Sequence, residues 1–322
     1  MRRFGCLTFL ALVALAIWAI HDWGGAGPAP RNLTVEIEPG TGLSGAAKQL
    51  EAAGAIRSAS RFLLFAKIFG GGEGIKAGEF GIPAHLSAAD ILKVLQGGKT
   101  LQRFVTVPEG MPSIMVQERI MAASELTGTI ARPAEGSLLP DSYSYQRGDT
   151  RQSVVDHMQR EMAAYLAKAW ANRKPGLVVK TPREAIILAS IVEKETGKPS
   201  ERRMVAAVYS NRLKKGMPLQ ADPTIIYPVT FGKPLGRRIL LSEKNAKNDY
   251  NTYTMNGLPK GPITNPGRAS IDAVLDPAES NALYFVADGT GGSVFSDTLD
   301  QQDANVVKWR QIRCQRGETG FC

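Results

Sequence analysis

The chain has 322 residues, 43% of them hydrophobic and 21% charged. That suits one or two folded domains and excludes a disordered chain. Thirty-nine Lys and Arg against 30 Asp and Glu leave a net charge of +9, which favours an anionic partner such as membrane headgroups or an acidic polymer. The excess is spread along the chain without a long basic run, so charge alone argues for no nucleic-acid partner. His21, His85 and His157 lie far apart, and Cys6, Cys314 and Cys322 form no Cys-x-x-Cys. A multi-histidine metal site, a zinc ribbon and a thioredoxin-type site are therefore unsupported, and neither metal nor cofactor is expected.

Arg2 and Arg3 precede an apolar run over residues 4–20, closed by His21 and Asp22. Seventeen residues at about 1.5 Å each cover about 25 Å, enough to cross a thin hydrocarbon core. Trp18 and Trp23 stand where interfacial aromatics are expected, and the arginines should stay cytoplasmic. The rival reading is a cleaved signal peptide. No clean small-x-small cleavage site follows the run, so the adopted reading is an uncleaved single-pass anchor in the cytoplasmic (inner) membrane. On either reading the body is exported, which argues against nucleic acid. An oxidising compartment would allow a Cys314–Cys322 disulfide; two free thiols in the tail are the alternative.

Residues 24–30 read as a Gly/Pro/Ala linker. A short strand over 35–37 ends at Pro39-Gly40, and a helix follows over 43–53. Ser58 or Ser60 can cap a helix through Phe62, Phe65 and Phe69, broken by Gly70-Gly71-Gly72. No Lys-Ser/Thr follows those glycines, so they form no phosphate-binding loop. A second strand is expected over 79–82. Ser87 with Asp90 caps a helix carrying Ile91, Leu92 and Leu95 on one face. Phe104, Val105 and Val107 form a further strand. Residues 111–180 mix helical stretches with a loop over 135–143, and 152–170 should be helical.

Thr181-Pro-Arg-Glu184 has the signature of a helix start: a Thr cap, Pro at the first position and Glu three residues after the cap. The helix should end near Gly197. At about 100° per residue, with Ile187 at zero, Ile191 lies near 40°, Leu188 near 100° and Val192 near 140°. Glu195 falls near 80°, inside the apolar stripe, and Glu193 near 240°, on the opposite side. A carboxylate in an apolar stripe is partly desolvated, so its pKa should rise toward neutrality, as a general acid for glycosidic cleavage requires. The plain alternative is a solvated Glu195 in the last turn. No Gly-x-Ser-x-Gly and no Cys/His pair competes for a nucleophilic role.

The run Ala189-Ser-Ile-Val-Glu-Lys-Glu-Thr196 continues through Val208-Tyr-Ser-Asn-Arg-Leu213, Gly216-Met-Pro-Leu-Gln-Ala-Asp-Pro-Thr-Ile-Ile-Tyr227 and Tyr250-Asn-Thr-Tyr253. Gly257-Leu-Pro-Lys-Gly-Pro-Ile-Thr-Asn-Pro-Gly267 and Leu283-Tyr-Phe-Val-Ala-Asp288 follow. Over nearly the whole chain after the anchor this resembles the YceG-like family of endolytic murein transglycosylases. Lys76-Ala-Gly-Glu-Phe80 resembles that family's LysM-like region, and Pro108-Glu-Gly110 and Pro140-Asp-Ser-Tyr143 also match. The resemblance implies an α+β chain: an anchor over 1–23, a linker over 24–32, a small LysM-like α+β module over 33–103 and a larger α+β catalytic domain over 104–322.

It implies Glu195 as the catalytic acid, agreeing with the helical wheel. It also implies peptidoglycan glycan strands, cut internally, as substrate, and coupling to wall-synthesis enzymes. Gln220, Asp222, Thr224, Asn251, Thr252 and Tyr253 are the candidates for holding sugar; each could instead satisfy its loop's backbone. Arg212 is expected to pair with Glu201 or Asp222. Lys260 and Ser293 depart from the family pattern, where Pro and His are frequent. The reading from another class is an envelope scaffold that binds glycan without cutting it.

Overall fold

The computed structural model describes residues 2–317, with side chains from Phe9 onward. The chain divides into two compact units. Residues 1–103 join with 144–148 in the first, and residues 104–143 join with 149–322 in the second.

In the first unit helix α1 covers Arg2–Gly24. Among the described residues no helix is long and apolar enough to cross a membrane. Arg2, Arg3 and Cys6, and the start of the apolar run as far as Thr8, lie outside the described side chains. Strand β1 (Leu33–Ile37) pairs antiparallel with β2 (Gly78–Ile82), Val35 opposite Phe80. Between them lie α2 (Leu43–Ala52) and α3 (Ala59–Phe69), and α4 (Ala88–Gly97) follows. Ser58 caps α3 by accepting the Arg61 N–H, and Ser87 caps α4 by accepting the Asp90 N–H at 3.1 Å. One core of Val35, Ile37, Leu50, Phe62, Phe80, Ile82, Ile91 and Leu95 closes the unit. The alternation of β1 and β2 sends those strand residues inward, as a half-buried two-stranded sheet requires.

The chain continues through β3 (Arg103–Thr106), α5 (Ser113–Met121), β4 (Ser142–Tyr145) and α6 (Arg151–Ala171). Helix α5 and strand β4 fall where the sequence showed only mixed character and a loop. The strand is a four-residue Ser/Tyr alternation, too short to signal by periodicity. Helix α7 (Pro182–Glu195) begins as expected, with Thr181 Oγ1 accepting the Glu184 N–H at 3.1 Å. Glu184 Oε2 accepts from Lys180 N rather than from the cap residue, at 2.5 Å. Then come α8 (Arg202–Lys214), α9 (Pro223–Thr230), α10 (Leu241–Lys244), α11 (Arg268–Leu275), the antiparallel pair β5 (Tyr284–Ala287) and β6 (Ser293–Ser296), and α12 (Leu299–Gln315). Cys314, near the end of α12, is disulfide-bonded; Cys322 lies outside the described residues.

Helix α7 is the centre of this unit. Every residue from Ala185 to Val192 is buried, against α8, α11 and residues of α6 and the 263 region. The single apolar stripe of the sequence reading is thus replaced by burial on all sides, and Glu193 does not face open solvent. Its Oε2 accepts the Gly267 N–H at 2.9 Å and its Oε1 faces Arg202 at 3.5 Å, tying the start of α11 to α7.

Gly136 packs directly against this helix. Its φ is +74°, and a Cβ there would stand 2.7 Å from Pro262 Cγ and 2.8 Å from Ile186 Cγ2. Gly136→Ala therefore combines left-handed strain with a clash and should destabilise the second unit by about 2 kcal/mol, read as a lowered unfolding temperature.

Candidate active site

Glu195 ends α7, where the helix leaves its apolar surroundings. The residue keeps part of its surface open, while burial is the largest influence on its carboxyl and pushes its pKa up to about 7. The Tyr209 hydroxyl hydrogen-bonds the carboxyl and opposes that shift; the charge of Asp222 reinforces it, and Arg212 opposes it. A proton is thus held near neutrality on a largely buried group of a partly exposed residue, as a general acid working at that pH needs.

Each neighbour comes from a different local rule. Tyr209 and Arg212 are three apart on α8 and so share a face. Tyr209 is buried, and its hydroxyl is pushed far up by that burial first and by the Glu195 charge second. It therefore remains a donor to Glu195. Asp222 stands at the start of α9, and its Oδ1 accepts from the Tyr253 hydroxyl at 2.6 Å. The Lys244 ammonium lies 4.6 Å from the centre of the Tyr253 ring.

The family pattern matches residues 35–308. This chain belongs to the YceG-like family. An endolytic murein transglycosylase of Bacillus subtilis is 27% identical over 311 residues, covering 86% of this chain and 85% of that protein. One from Streptococcus pneumoniae is 28% identical over 86% of this chain, which spans only 58% of that longer protein. A solved YceG-like protein from Listeria monocytogenes superposes with a TM-score of 0.54 at 28% identity, over 85% of this chain and 98% of that one. That neighbour accords with the mixed helix-and-sheet architecture.

In this YceG-like chain the six sugar-binding candidates separate into two groups. Gln220, Asp222 and Tyr253 reach the surface beside Glu195's neighbours. Thr224, Asn251 and Thr252 are fully buried. The Thr224 hydroxyl donates to Ala221 O at 2.6 Å and accepts the Thr252 N–H at 3.2 Å. The Thr252 hydroxyl accepts the Ala221 N–H at 3.0 Å and meets Thr224 Oγ1 at 2.8 Å. With one proton per hydroxyl, Thr252 must be the donor in that pair, and Thr224 has nothing left for a ligand. Asn251 Nδ2 donates to Lys244 O at 2.9 Å and Ala246 O at 2.7 Å, and its Oδ1 accepts the Tyr253 N–H at 3.0 Å. These three residues bolt the two loops together beneath the surface that Gln220, Asp222 and Tyr253 present.

Arg212 also departs from expectation. It pairs with neither Glu201 nor Asp222. Its Nε donates to Leu283 O at 2.7 Å, and its Nη1 to Leu219 O at 3.0 Å, Pro218 O at 3.2 Å and Gln220 Oε1 at 3.2 Å. It holds Gln220 in the left-handed region, at φ 53°. Glu201 Oε1 instead accepts the Ser293 N–H at 2.9 Å, and Lys260 pairs with Asp249 at 2.9 Å. Of the two departures from the family pattern, the Lys260 side chain is thus engaged by a neighbouring carboxylate.

Two groups escaped the sequence reading. Tyr209 lay inside a quoted motif, and its three-residue spacing from Arg212 was the available signal. Glu135 is a second largely buried carboxyl, with its pKa raised by burial. Its Oε1 accepts the Ser113 N–H at 2.9 Å and hydroxyl at 3.0 Å, with the Asn265 amide at 3.4 Å, and Tyr227 also hydrogen-bonds it. Those partners stitch the 135 loop to α5, α9 and the 265 turn. A groove of about 440 Å³ opens beside α7, lined by Met111, Pro112, Lys194, Pro223, Ile226 and Lys233 among others. It includes the chain neighbours of Glu195 and Asp222 but not those carboxylates. Among the described residues no group of His, Cys, Asp and Glu is arranged to hold a metal.

Proposed function

We propose that the chain is a lytic transglycosylase that cleaves peptidoglycan glycan strands internally at the bond between N-acetylmuramic acid and N-acetylglucosamine, with Glu195 as its acid and base. The observation that carries this reading is the carboxyl of partly exposed Glu195, whose pKa is held up at about 7 by burial and by Asp222. Glu195 protonates the glycosidic oxygen. Positive charge grows at C1 of the muramic acid, where the neighbouring acetamido group and the charge of Asp222 stabilise it. The C6 hydroxyl then attacks C1, and Glu195, now a carboxylate, takes the hydroxyl's proton. A 1,6-anhydro end results, no water is consumed, and one acid–base carboxyl suffices where a hydrolase uses two. In this reading Gln220 and Tyr253 bind the sugar, with the Tyr253 ring stacking on it; their exposure supports this.

The 17-residue apolar run supports an anchor in the cytoplasmic membrane, with the body outside the cytoplasm. The β1-α2-α3-β2 order supports a LysM-like glycan-holding module in the first unit. Cutting near the membrane would end strands during their synthesis, so wall-synthesis enzymes are the expected partners.

The test is to incubate the full chain with uncrosslinked glycan strands and read the products by mass spectrometry. Internal fragments with 1,6-anhydro ends are expected. Reducing ends would mean a hydrolase, and binding without cleavage a scaffold. Cleavage should fall as pH rises past about 7, because the acid must start protonated. Asp222→Asn removes a charge that holds the proton on, so the fall moves about one unit lower. Tyr209→Phe removes a bond that favours the carboxylate, so the fall moves the other way. Rates measured across pH for the three proteins check the order.

A further inference from the structure

Helix α3 covers its core face with Phe62 and Ala66, yet leaves Leu64, Ile68 and Phe69 exposed by 54%, 60% and 62%. Three large apolar side chains within six residues of one helix need a covering. What covers them is indicated by their neighbour, α1. Trp23 packs on Phe62, Phe65 and Phe69 at centroid distances of 5.7, 5.9 and 6.4 Å. Trp18 packs on Phe65 at 6.4 Å and lies under the Arg61 guanidinium at 5.6 Å. Asp22 pairs with Arg61 at 3.2 Å. The base of α1 is thus fixed to α3 within one unit.

The exposed apolar residues of α1 include Phe9, Leu10, Leu12, Leu15, Ile17, Trp18 and Ile20, which point to all sides of the helix at about 100° per residue. A helix apolar all round belongs in a protein core or in lipid, and these side chains are exposed, which favours lipid. The contacts also set the direction of α3. With Leu64 at zero, Trp23's partners lie at about 100–160° and Trp18's at about 60–100°. Asp22's partner Arg61 lies at about 60° as well, so the contacts of α1 span about 60–160° of α3. Ile68 at about 40° and Leu64 at zero adjoin the edge of that contact. Lys67 beside them is exposed and suits an anionic surface.

We propose that the Leu64 and Ile68 face of α3 lies in the headgroup boundary of an anionic phospholipid bilayer, beside the base of α1, so that the first unit docks on the membrane and does not merely hang from it. The proposal rests on α1 being membrane-inserted. Amphipathic helices of this kind bury their apolar face by several ångströms. The test uses the full chain, with native cysteines replaced by serine, in vesicles of phosphatidylethanolamine and phosphatidylglycerol. An environment-sensitive fluorophore is placed at Leu64→Cys, Ile68→Cys, Ile17→Cys on α1, or Lys48→Cys at an exposed position of α2. The labels at 64 and 68 should shift to the blue and lose most of their emission to brominated lipid, while that at 48 does neither. If the label at 17 is quenched and those at 64 and 68 behave like 48, this proposal fails and the anchor stands. If 17 also stays in water, both fail. A protein cover on α3 would leave 64 and 68 wet in pure lipid and equally overturns the proposal.

Discussion

Glu195→Gln should lower the rate of glycan cleavage by about a thousandfold or more, since a positioned acid–base group contributes at least about 10²-fold and here one carboxyl serves both steps. Binding of glycan should survive, because the amide keeps the shape and most contacts of the carboxyl. Stability gives an independent reading. The folded value of about 7 lies above the ordinary 4.5, so the native state binds more protons than the unfolded chain between those values. Its stability is therefore lost as pH rises through that window, and is intact below it. The variant carries no such group. It should be more stable than the wild type above about pH 7, by on the order of 3 kcal/mol at most, with the gap closing near pH 4. Calorimetry at both ends of the window checks this. A variant that cleaves at the wild-type rate sinks the role of Glu195.

Arg212→Ala should be the most damaging change that leaves the acid in place. The guanidinium is buried, and it supplies donors to the carbonyls of Leu283, Leu219 and Pro218 and to the Gln220 side chain. Its removal leaves buried acceptors unpaired and frees a residue held in a left-handed conformation. The expected cost is about 3 kcal/mol, seen as a lower unfolding temperature for the second unit. Arg212→Lys keeps the charge but not the planar fork, so it should recover only part of the loss. Activity should fall in both variants, with KM affected where Gln220 is displaced. An unfolding temperature unchanged by Arg212→Ala would contradict the assigned bonds.

The local elements were legible in the sequence because short-range chemistry decides them. Ser58, Ser87 and Thr181 each cap a helix with their own side chain. The alternation around Val35 and Phe80 fixes which residues of β1 and β2 face the core. Strand β4 and the helix over Ser113–Met121 were not legible: β4 is a four-residue Ser/Tyr alternation, and the helix lies in a stretch without a clear period.

The choice of Glu195 over Glu193 was available from helical spacing, and the family resemblance from the ordered motifs. The reason for Glu195's perturbed carboxyl was not. Helix α7 has no solvated face over Ala185–Val192, so the stripe that singled out Glu195 is not a distinct face of the folded helix and does not explain the shift. The distinction arises from what each meets in space: Gly267 N–H and Arg202 for Glu193, and Tyr209, Asp222 and Arg212 for Glu195. Thr224 and Thr252 show the same limit. As residue types they suit a sugar site, and only the bond between them, across 28 positions, turns them into loop fasteners. Sequence by itself determined the caps of α3, α4 and α7, the family, and Glu195 as the candidate acid. Tertiary structure decided which polar groups are consumed internally and which remain open to a ligand, because desolvation and hydrogen-bond saturation depend on partners far apart in the chain.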